Sequence, residues 1–257
     1  MGLRFDTSLI HSVWALTRRW SLQIEAWEAL AVRREFQNAS LAIVGNAGYL
    51  SELPQGELID GHDLVLRMNN FRTAGFESQV GGRTDIFLST YCDDVNLQNA
   101  ELRQVKWLIS SMPYNVLRHR SLGVPHVHGA HLARGLRQLS RRQMFVPDWD
   151  LFLATKRELG KYPTTGAMAA LLATRVLSRV CRSIYFTGFS FFQGKSHYFR
   201  DAQTVPRNHD MQREQQFIRE LFEPFVAAGR IRLDGSMMAQ LQLGATSTVR
   251  QPGALPE

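Results

Sequence analysis

Leu41-Ala-Ile-Val44 is a short apolar run that ends at Gly45-Asn46-Ala47-Gly48, and it gives the clearest indication of the fold. A continuous apolar run of this length predicts a strand that is buried on both faces. Glycines directly after a strand let the backbone approach a ligand closely, and the amides that follow can bind phosphate or sugar oxygens. Because ligands of open parallel sheets bind at the carboxyl ends of the strands, this loop predicts one wall of a binding site.

Apolar runs of the same kind recur along the chain, with helical patterns between several of them. The runs are Leu64–Leu66, Ile86–Leu88, Trp107–Ile109, Ile184–Phe186 and Ile231–Leu233. The clearest helical patterns are Gly166–Val180, which is rich in alanine and leucine, and Asp210–Phe225. Strands that alternate with helices favour a mainly parallel sheet. The sequence therefore predicts one α/β domain of the Rossmann type, with helices on both faces of the sheet.

The first segment of the chain carries an apolar stripe at helical spacing. Its members are Leu9, Val13, Leu16, Trp20, Ile24, Trp27 and Ala31. The stripe predicts an amphipathic helical extension over residues 1–36, before a main domain at 37–245 and a disordered tail at 246–257. Two interpretations of the extension stay open. The helix packs on the main domain or on a second subunit, or it lies on a membrane surface, since its tryptophans sit among arginines.

The charge of the chain indicates an anionic partner without choosing one. The formal net charge is +7 at pH 7, and the isoelectric point is about 9.8. Nucleic acid, acidic lipid, an anionic glycan and a nucleotide sugar all fit a basic surface, and so does a basic face that is merely solvated. Charge alone therefore decides nothing about function.

Composition also sets an expectation about the compartment. The chain contains no apolar stretch long enough to span a membrane and no recognisable signal peptide, so we expect it in the cytoplasm. Its two cysteines, Cys92 and Cys181, are then expected to be free thiols.

Four motifs follow one another between residues 41 and 214. They are Val44-Gly45-Asn46 with Ile59–Asn70, Gly75–Glu77 and Val80–Thr84; Tyr162–Gly166 with Tyr185–Phe189; His197-Tyr198-Phe199; and His209 with Glu214. In this order they resemble the large, small, third and very small sialylmotifs of the eukaryotic-type sialyltransferases, glycosyltransferase family 29. A lone HxxxxE pattern carries almost no information, whereas the ordered set makes a chance similarity improbable.

The resemblance implies a GT-A-like fold and an inverting, metal-independent transfer. The donor would be a CMP-sugar that carries sialic acid or a related ulosonate, and the acceptor would be a hydroxyl of a glycan or glycolipid. No cofactor, no metal and no nucleic acid are expected. A bacterial or cytoplasmic-type member would act at the inner face of the membrane, where peripheral contact with the bilayer would give the basic surface an anionic partner.

The resemblance also implies roles for individual residues. His209 would be the general base, a task that suits the near-neutral pKa of histidine. His197, helped by Tyr198, would donate to the departing phosphate, and Tyr162 would face the acceptor. The expected nucleotide-binding residues are Gly45, Asn46, Asn69, Thr164, Thr165, Gly166, Gly188, Phe189 and Tyr198. Glu214 lies roughly 140° around a helix from His209, so we expect it to fix that helix rather than to orient the imidazole.

The sequence departs from the family pattern at two positions. Secretory members have a cysteine just before the first strand, paired with one after the small-motif helix; Leu41 stands at the first position, so this disulfide cannot form. The third motif ends in Arg200 where the family has an acid. That change puts in doubt the acceptor or sugar contact that the acid would make.

Three alternatives remain open at this stage. A close relative that uses CMP-Kdo, for lipooligosaccharide or capsule synthesis, would read the same CMP group. A protein that binds nucleotides or nucleic acid without catalysis would keep the fold but would not need both histidines. A metal-dependent transferase would use a pair such as Asp148 and Asp150, which we instead interpret as loop or capping carboxylates.

Overall fold

The computed structural model describes residues 24–113, 134–135, 138–139, 143–191, 197–200 and 208–243. Within these residues a single sheet of eight strands contains only parallel pairs. The strands are β1 (Ile24–Ala26), β2 (Ser40–Val44), β3 (Leu64–Met68), β4 (Ile86–Ser89), β5 (Trp107–Ser110), β6 (Met144–Val146), β7 (Ser183–Thr187) and β8 (Ile231–Leu233). Their order across the sheet is β1-β6-β5-β4-β3-β2-β7-β8. The predicted α/β class with a parallel sheet is confirmed.

Both faces of the sheet are covered, which explains why its strands are continuous apolar runs. The helices are α1 (Gly56–Asp60), α2 (Glu77–Val80), α3 (Trp149–Leu159), α4 (Thr165–Arg175), α5 (Met211–Ala227) and α6 (Gly235–Gln240). Along β2, Leu41 and Ile43 pack in the core that contains α4 and α5. Ala42 and Val44 point to the opposite face, where α1 and α2 contribute buried side chains.

The two strands that the sequence analysis did not predict are β1 and β6. Each has only three residues, and the two pair with each other in parallel, with Ile24 opposite Met144. Ile24 continues the helical spacing of the apolar stripe before it, which hides the strand in the sequence. Its position is set by the neighbouring strand.

The predicted N-terminal helix is wrong at the end that the structure describes. Ile24 lies in β1, and residues Trp27–Val32 form a 3-10 helix. Trp27 and Leu30 are fully buried in the core, and the Trp27 indole donates to the Ser110 carbonyl at 3.2 Å. The described part of the stripe therefore packs against the sheet, and residues 24–26, which precede residue 36, already belong to the sheet. The rest of the stripe and the tail at 246–257 lie outside the described residues.

Two further expectations concern the membrane and the thiols. None of the helices in the described part of the chain has the length and apolar character needed to cross a bilayer. Cys92 and Cys181 are both free, and burial raises the pKa of each thiol to about 11.

The direction of the chain reverses between β2 and β7. From β2 the chain passes through β3, β4, β5 and β6 on one side, and β7 and β8 are then added on the other side of β2. The carboxyl ends of β2 and β7 lie side by side at one edge of the sheet, and the connections that follow them run to opposite faces, which opens a crevice between the two strand ends. Gly45 and Gly188 follow these two strands directly.

The two glycines make the closest backbone approach at this crevice. A Cβ atom on Gly45 would lie 2.1 Å from the Gly188 carbonyl oxygen. Gly188 has φ +84°, a conformation that side chains other than hydrogen disfavour. Its carbonyl oxygen accepts from the Ala47 N–H at 2.9 Å. Glycine is therefore required at both positions to join the loops after β2 and β7.

Gly45→Ala should lower the free energy of unfolding by about 3 kcal/mol, because the added methyl group meets a backbone carbonyl that cannot rotate away. Chemical denaturation measures the loss. Gly235→Ala is the matched control, since nothing lies within 4 Å of its added methyl group. At this first position of α6 we expect a change of about 0 to +1 kcal/mol. Equal losses in the two variants would contradict the proposed backbone contact.

Candidate active site

An open pocket of about 150 Å³ lies at the carboxyl ends of β2, β3 and β7. Its walls also include the first turn of α4 and part of α5. Nine residues that the sequence analysis predicted for the site line it: Gly45, Asn46, Asn69, Thr164, Thr165, Gly166, Gly188, Phe189 and His197. Residues more than 140 positions apart in the chain, such as Gly45 and Gly188, thus meet in one pocket. The structure thus brings these nine residues together at one edge of the sheet.

Asn46 holds its loop in place through its side-chain nitrogen, and its side-chain oxygen is left for a ligand. Its amide nitrogen donates to the carbonyls of Met68 at 3.0 Å and Asn70 at 3.1 Å, which fixes the loop after β2 to the end of β3. Its side-chain oxygen is buried and has no hydrogen-bond partner. A buried acceptor without a partner is costly. A hydroxyl or N–H donor of a ligand would remove that cost.

Asn69 holds two protein elements together through both atoms of its side-chain amide. The nitrogen donates to the Thr165 hydroxyl, and the oxygen accepts from the Ser89 hydroxyl, each at 3.2 Å. The residue has φ +49°, which asparagine tolerates better than most side chains. Asn69 therefore anchors the start of α4 to the end of β4, and this anchoring adds to the nucleotide contact predicted for it.

The first turn of α4 faces the pocket and supplies donors for an anion. Thr164 caps the helix, and its hydroxyl accepts from the Ala167 N–H at 3.1 Å. The first N–H groups of a helix have no intrahelical partner, so those of Thr165 and Gly166 are directed at the pocket. A Cβ on Gly166 would lie 3.1 Å from the Phe189 ring, which explains the glycine.

Glu214 connects α5 to this same turn. Its carboxylate accepts from the Thr164 N–H at 3.0 Å and from the Thr164 hydroxyl. The residue is 4 % exposed, and burial raises the pKa of its carboxyl to about 7 against the opposing effect of the Thr164 hydrogen bonds. The helix-fixing role expected for Glu214 agrees with these contacts.

His197 lines the pocket as a neutral imidazole. Partial burial, with a smaller contribution from the Arg200 guanidinium, lowers the pKa of His197 to about 4. At pH 7 this residue can offer one N–H to a ligand but carries no charge. Arg200, at the position where the family has an acid, therefore disfavours a positive charge on His197.

Tyr198 lies below the pocket and does not line it. It is 2 % exposed, its hydroxyl accepts from the Arg72 N–H at 3.2 Å and donates to the Arg72 carbonyl, and its own N–H donates to the Asn46 carbonyl at 3.1 Å. Because the hydroxyl is fully engaged, the direct nucleotide contact predicted for Tyr198 is corrected to a supporting one. Its backbone places the Asn46 loop.

His209 and Tyr162 contact each other beside the pocket rather than in its lining. The Nδ1 atom of His209 lies 2.6 Å from the Tyr162 carbonyl oxygen. A carbonyl can only accept, so Nδ1 carries the proton and Nε2 is left as an acceptor. Met211, two residues after His209, does line the pocket. The imidazole is thus held at the edge of the site in the tautomer that a general base requires.

The residues that sequence reasoning missed are mostly apolar. They include Met68, Phe191, Met211 and Ile218, which line the pocket. An apolar residue at a pocket looks the same in a sequence as one in a core, so no sequence signal could have found them.

The lining holds no lysine or arginine among the described residues. The polar part of the described lining consists of backbone groups, uncharged side chains and the Glu214 carboxyl. No group of three or more side chains suited to a metal occurs in the described residues. Asp148 caps α3, accepting from the Asp150 N–H at 2.7 Å, so the capping interpretation is confirmed for Asp148.

Glu214→Gln should remove a pH-dependent part of the stability. A folded-state pKa of about 7 against an ordinary value of 4.5 means that the folded chain holds a proton which the unfolded chain has lost. The parent's stability relative to the variant should therefore fall by about 3 kcal/mol as the pH rises from 4.5 to 7. Urea denaturation at several pH values measures this difference.

Glu223→Gln is the matched control, because this exposed residue lies on the same helix. Its stability curve should run parallel to that of the parent. A parallel curve for Glu214→Gln as well would show that the buried carboxyl does not titrate as described.

Comparison with known proteins places these motifs in a family. The family model of glycosyltransferase family 29 (sialyltransferase) matches residues 23–224. An alpha-N-acetylgalactosaminide alpha-2,6-sialyltransferase 2 of Mus musculus is 28 % identical over 253 residues, covering 83 % of this chain and 66 % of that protein. A type 2 lactosamine alpha-2,3-sialyltransferase of Homo sapiens is 25 % identical over 217 residues, covering 74 % and 64 %. The chain thus spans two thirds or less of the length of these curated relatives.

Solved structures show the same fold. The crystal structure of a mammalian sialyltransferase matches with a TM-score of 0.53 and 22 % identity, covering 76 % of this chain and 68 % of the other. At this identity the likeness shows the fold alone. The family match, which spans most of the sheet and all four motifs around the pocket, shows that the chain belongs to glycosyltransferase family 29, the sialyltransferases.

Proposed function

We propose that this chain is an inverting, metal-independent glycosyltransferase that moves sialic acid or a related ulosonate from a CMP-sugar to a hydroxyl of a glycan. The observation that carries the proposal is the convergence of the motifs on one pocket. The buried Asn46 oxygen, the N–H groups at the start of α4, and neutral His197 all line it. These groups suit a ribose hydroxyl and a phosphate.

The reaction breaks the bond between the anomeric carbon and the phosphate oxygen of the donor. The acceptor hydroxyl forms the new bond from the opposite face, which inverts the anomeric carbon. Its proton passes to Nε2 of His209, and the Tyr162 carbonyl stabilises the resulting imidazolium through Nδ1. CMP leaves with the electron pair, and the N–H groups of α4 together with the His197 N–H stabilise its phosphate.

Finer points of the proposal rest on the family resemblance. We assign a GT-A-like arrangement to the sheet and an acceptor contact to Tyr162. CMP-sialic acid and CMP-Kdo share the CMP group, so the pocket by itself favours neither. A donor screen with both sugars separates them.

We also propose a location at the cytoplasmic face of a membrane, with the segment before residue 24 in contact with anionic lipid. The basic composition and the tryptophans of that segment support it. Flotation with anionic liposomes tests this, and absence of binding by the full chain would contradict it.

The donor assignment predicts that CMP binds with a dissociation constant on the order of micromolar, in EDTA, whereas UDP does not. CMP should bind in EDTA because protein N–H groups, rather than a metal, stabilise its phosphate. Isothermal titration measures both ligands. Binding of UDP only when a divalent metal is supplied would reverse the assignment.

His209→Ala should lower kcat by about 10²- to 10⁴-fold with CMP-sialic acid as donor, since the acceptor loses its general base. CMP affinity should stay within about threefold of the parent, because His209 does not line the pocket. Single-turnover kinetics and CMP titration give the two values.

His62→Ala is the matched control. The Nδ1 atom of His62 also lies close to a backbone carbonyl, that of Leu58 at 2.8 Å, but the residue is remote from the pocket lining. Its kcat should equal that of the parent. Full activity of His209→Ala, or equal losses in both variants, would exclude His209 as the base; a chain without turnover that still binds CMP would favour a binding protein.

A further inference from the structure

A buried carboxylate lies directly behind the wall of the pocket that Gly188 forms. Asp234, the N-cap of α6, is 6 % exposed. One oxygen accepts from the Met237 N–H at 2.8 Å. The other accepts from the Tyr49 hydroxyl at 2.7 Å and the Thr187 hydroxyl at 2.6 Å. Both oxygens are therefore engaged, as a buried carboxylate requires.

Tyr49 links this carboxylate to the pocket wall through its hydroxyl. Its hydroxyl donates to Asp234 and accepts from the Gly188 N–H at 2.8 Å. Burial, and the negative charge of Asp234, raise the pKa of the Tyr49 phenol above its ordinary value, so the phenol keeps the proton it donates. The direction of each hydrogen bond in the chain Gly188–Tyr49–Asp234 is thus fixed.

The Gly188 residue is consequently held at both of its polar atoms. Its N–H is bound by Tyr49, and its carbonyl oxygen accepts from the Ala47 N–H at 2.9 Å. Gly188 also touches Gly45, so a small rotation of its backbone would displace the loop after β2. Phe189 continues from Gly188 along the pocket.

We propose that Tyr49 and Asp234 are positioning residues for the nucleotide, acting through the Gly188 backbone. The proposal rests on the proposed function, since the pocket is taken to bind CMP. Asp234 lies beyond the segment 23–224 that the family model matches. The segment after α5, which contains β8 and the start of α6, therefore helps to position the nucleotide site as well as completing the edge of the sheet.

The distinguishing feature of a positioning role is that affinity changes more than stability does. Tyr49→Phe removes only the oxygen between Gly188 and Asp234. The Gly188 N–H then has just its longer 3.4 Å contact with Asp234. We expect the dissociation constant of CMP to rise about tenfold, because the wall of the pocket is no longer fixed before the ligand binds.

Tyr185→Phe is the matched control. Tyr185 is 6 % exposed, and its hydroxyl donates to Gln55 at 2.6 Å. It lies on β7, three residues before Gly188, and its hydroxyl bonds to Gln55 rather than to the polar atoms of that glycine. Both variants remove one buried hydroxyl, so they should lose similar unfolding free energy. Only Tyr49→Phe should weaken CMP binding by more than about threefold.

A second variant and a kinetic measurement complete the test. Asp234→Asn keeps an oxygen for the Met237 N–H but presents an amide donor towards Tyr49, and we expect it to weaken CMP binding in the same direction. With CMP-sialic acid, both Tyr49→Phe and Asp234→Asn should raise the donor KM about tenfold at a kcat within about threefold of the parent.

The outcomes separate this proposal from the proposed function. If the parent binds CMP and Tyr49→Phe binds it equally well, or no more weakly than Tyr185→Phe, the positioning role is wrong while the donor site stands. If the parent does not bind CMP, both proposals are overturned. A fall in kcat at constant donor KM would also count against a role in placing the nucleotide.

Discussion

The contact between Gly45 and Gly188 is the constraint on which the site depends. The two residues follow adjacent parallel strands, β2 and β7, at the point where the chain changes direction across the sheet. Their backbones approach so closely that a methyl group on Gly45 would lie 2.1 Å from the Gly188 oxygen. This approach fixes the positions of the crevice, of the loop that contains Asn46, and of Phe189, which follows Gly188. A parallel sheet supplies the two strand ends, and glycine lets them meet.

Several motif residues bind one another, and in doing so they shape the pocket. Asn69 holds Thr165, Glu214 holds Thr164, and Asn46 holds the end of β3. The start of α4 is thus fixed from two sides before any ligand arrives. Preorganised donors of this kind need no rearrangement when charge develops on a leaving phosphate, which is where a helix N-terminus is most effective.

The electrostatics of the pocket differ from those of the whole chain. The net charge is +7, yet no cationic side chain occurs in the described part of the lining. His197 is neutral at pH 7, and the buried Glu214 carboxyl titrates near that pH. If the pocket binds the phosphate of CMP as proposed, the described residues would hold it through oriented N–H groups. Composition alone therefore could not locate the site.

The alternation of strands and helices, the parallel sheet and nine of the residues that line the pocket could be predicted from the sequence. These follow from local patterns: apolar runs, glycines after strands, and ordered motifs. The pairing of Ile24 with Met144 in a strand could be seen only in the folded chain, because in the sequence Ile24 continues an apolar stripe at helical spacing. The tertiary structure also decided that the Tyr198 hydroxyl binds Arg72, and that Asp234 reaches Gly188 through Tyr49. A hydrogen bond between residues 185 positions apart depends on how the sheet brings them together, and no local spacing in the sequence encodes that distance.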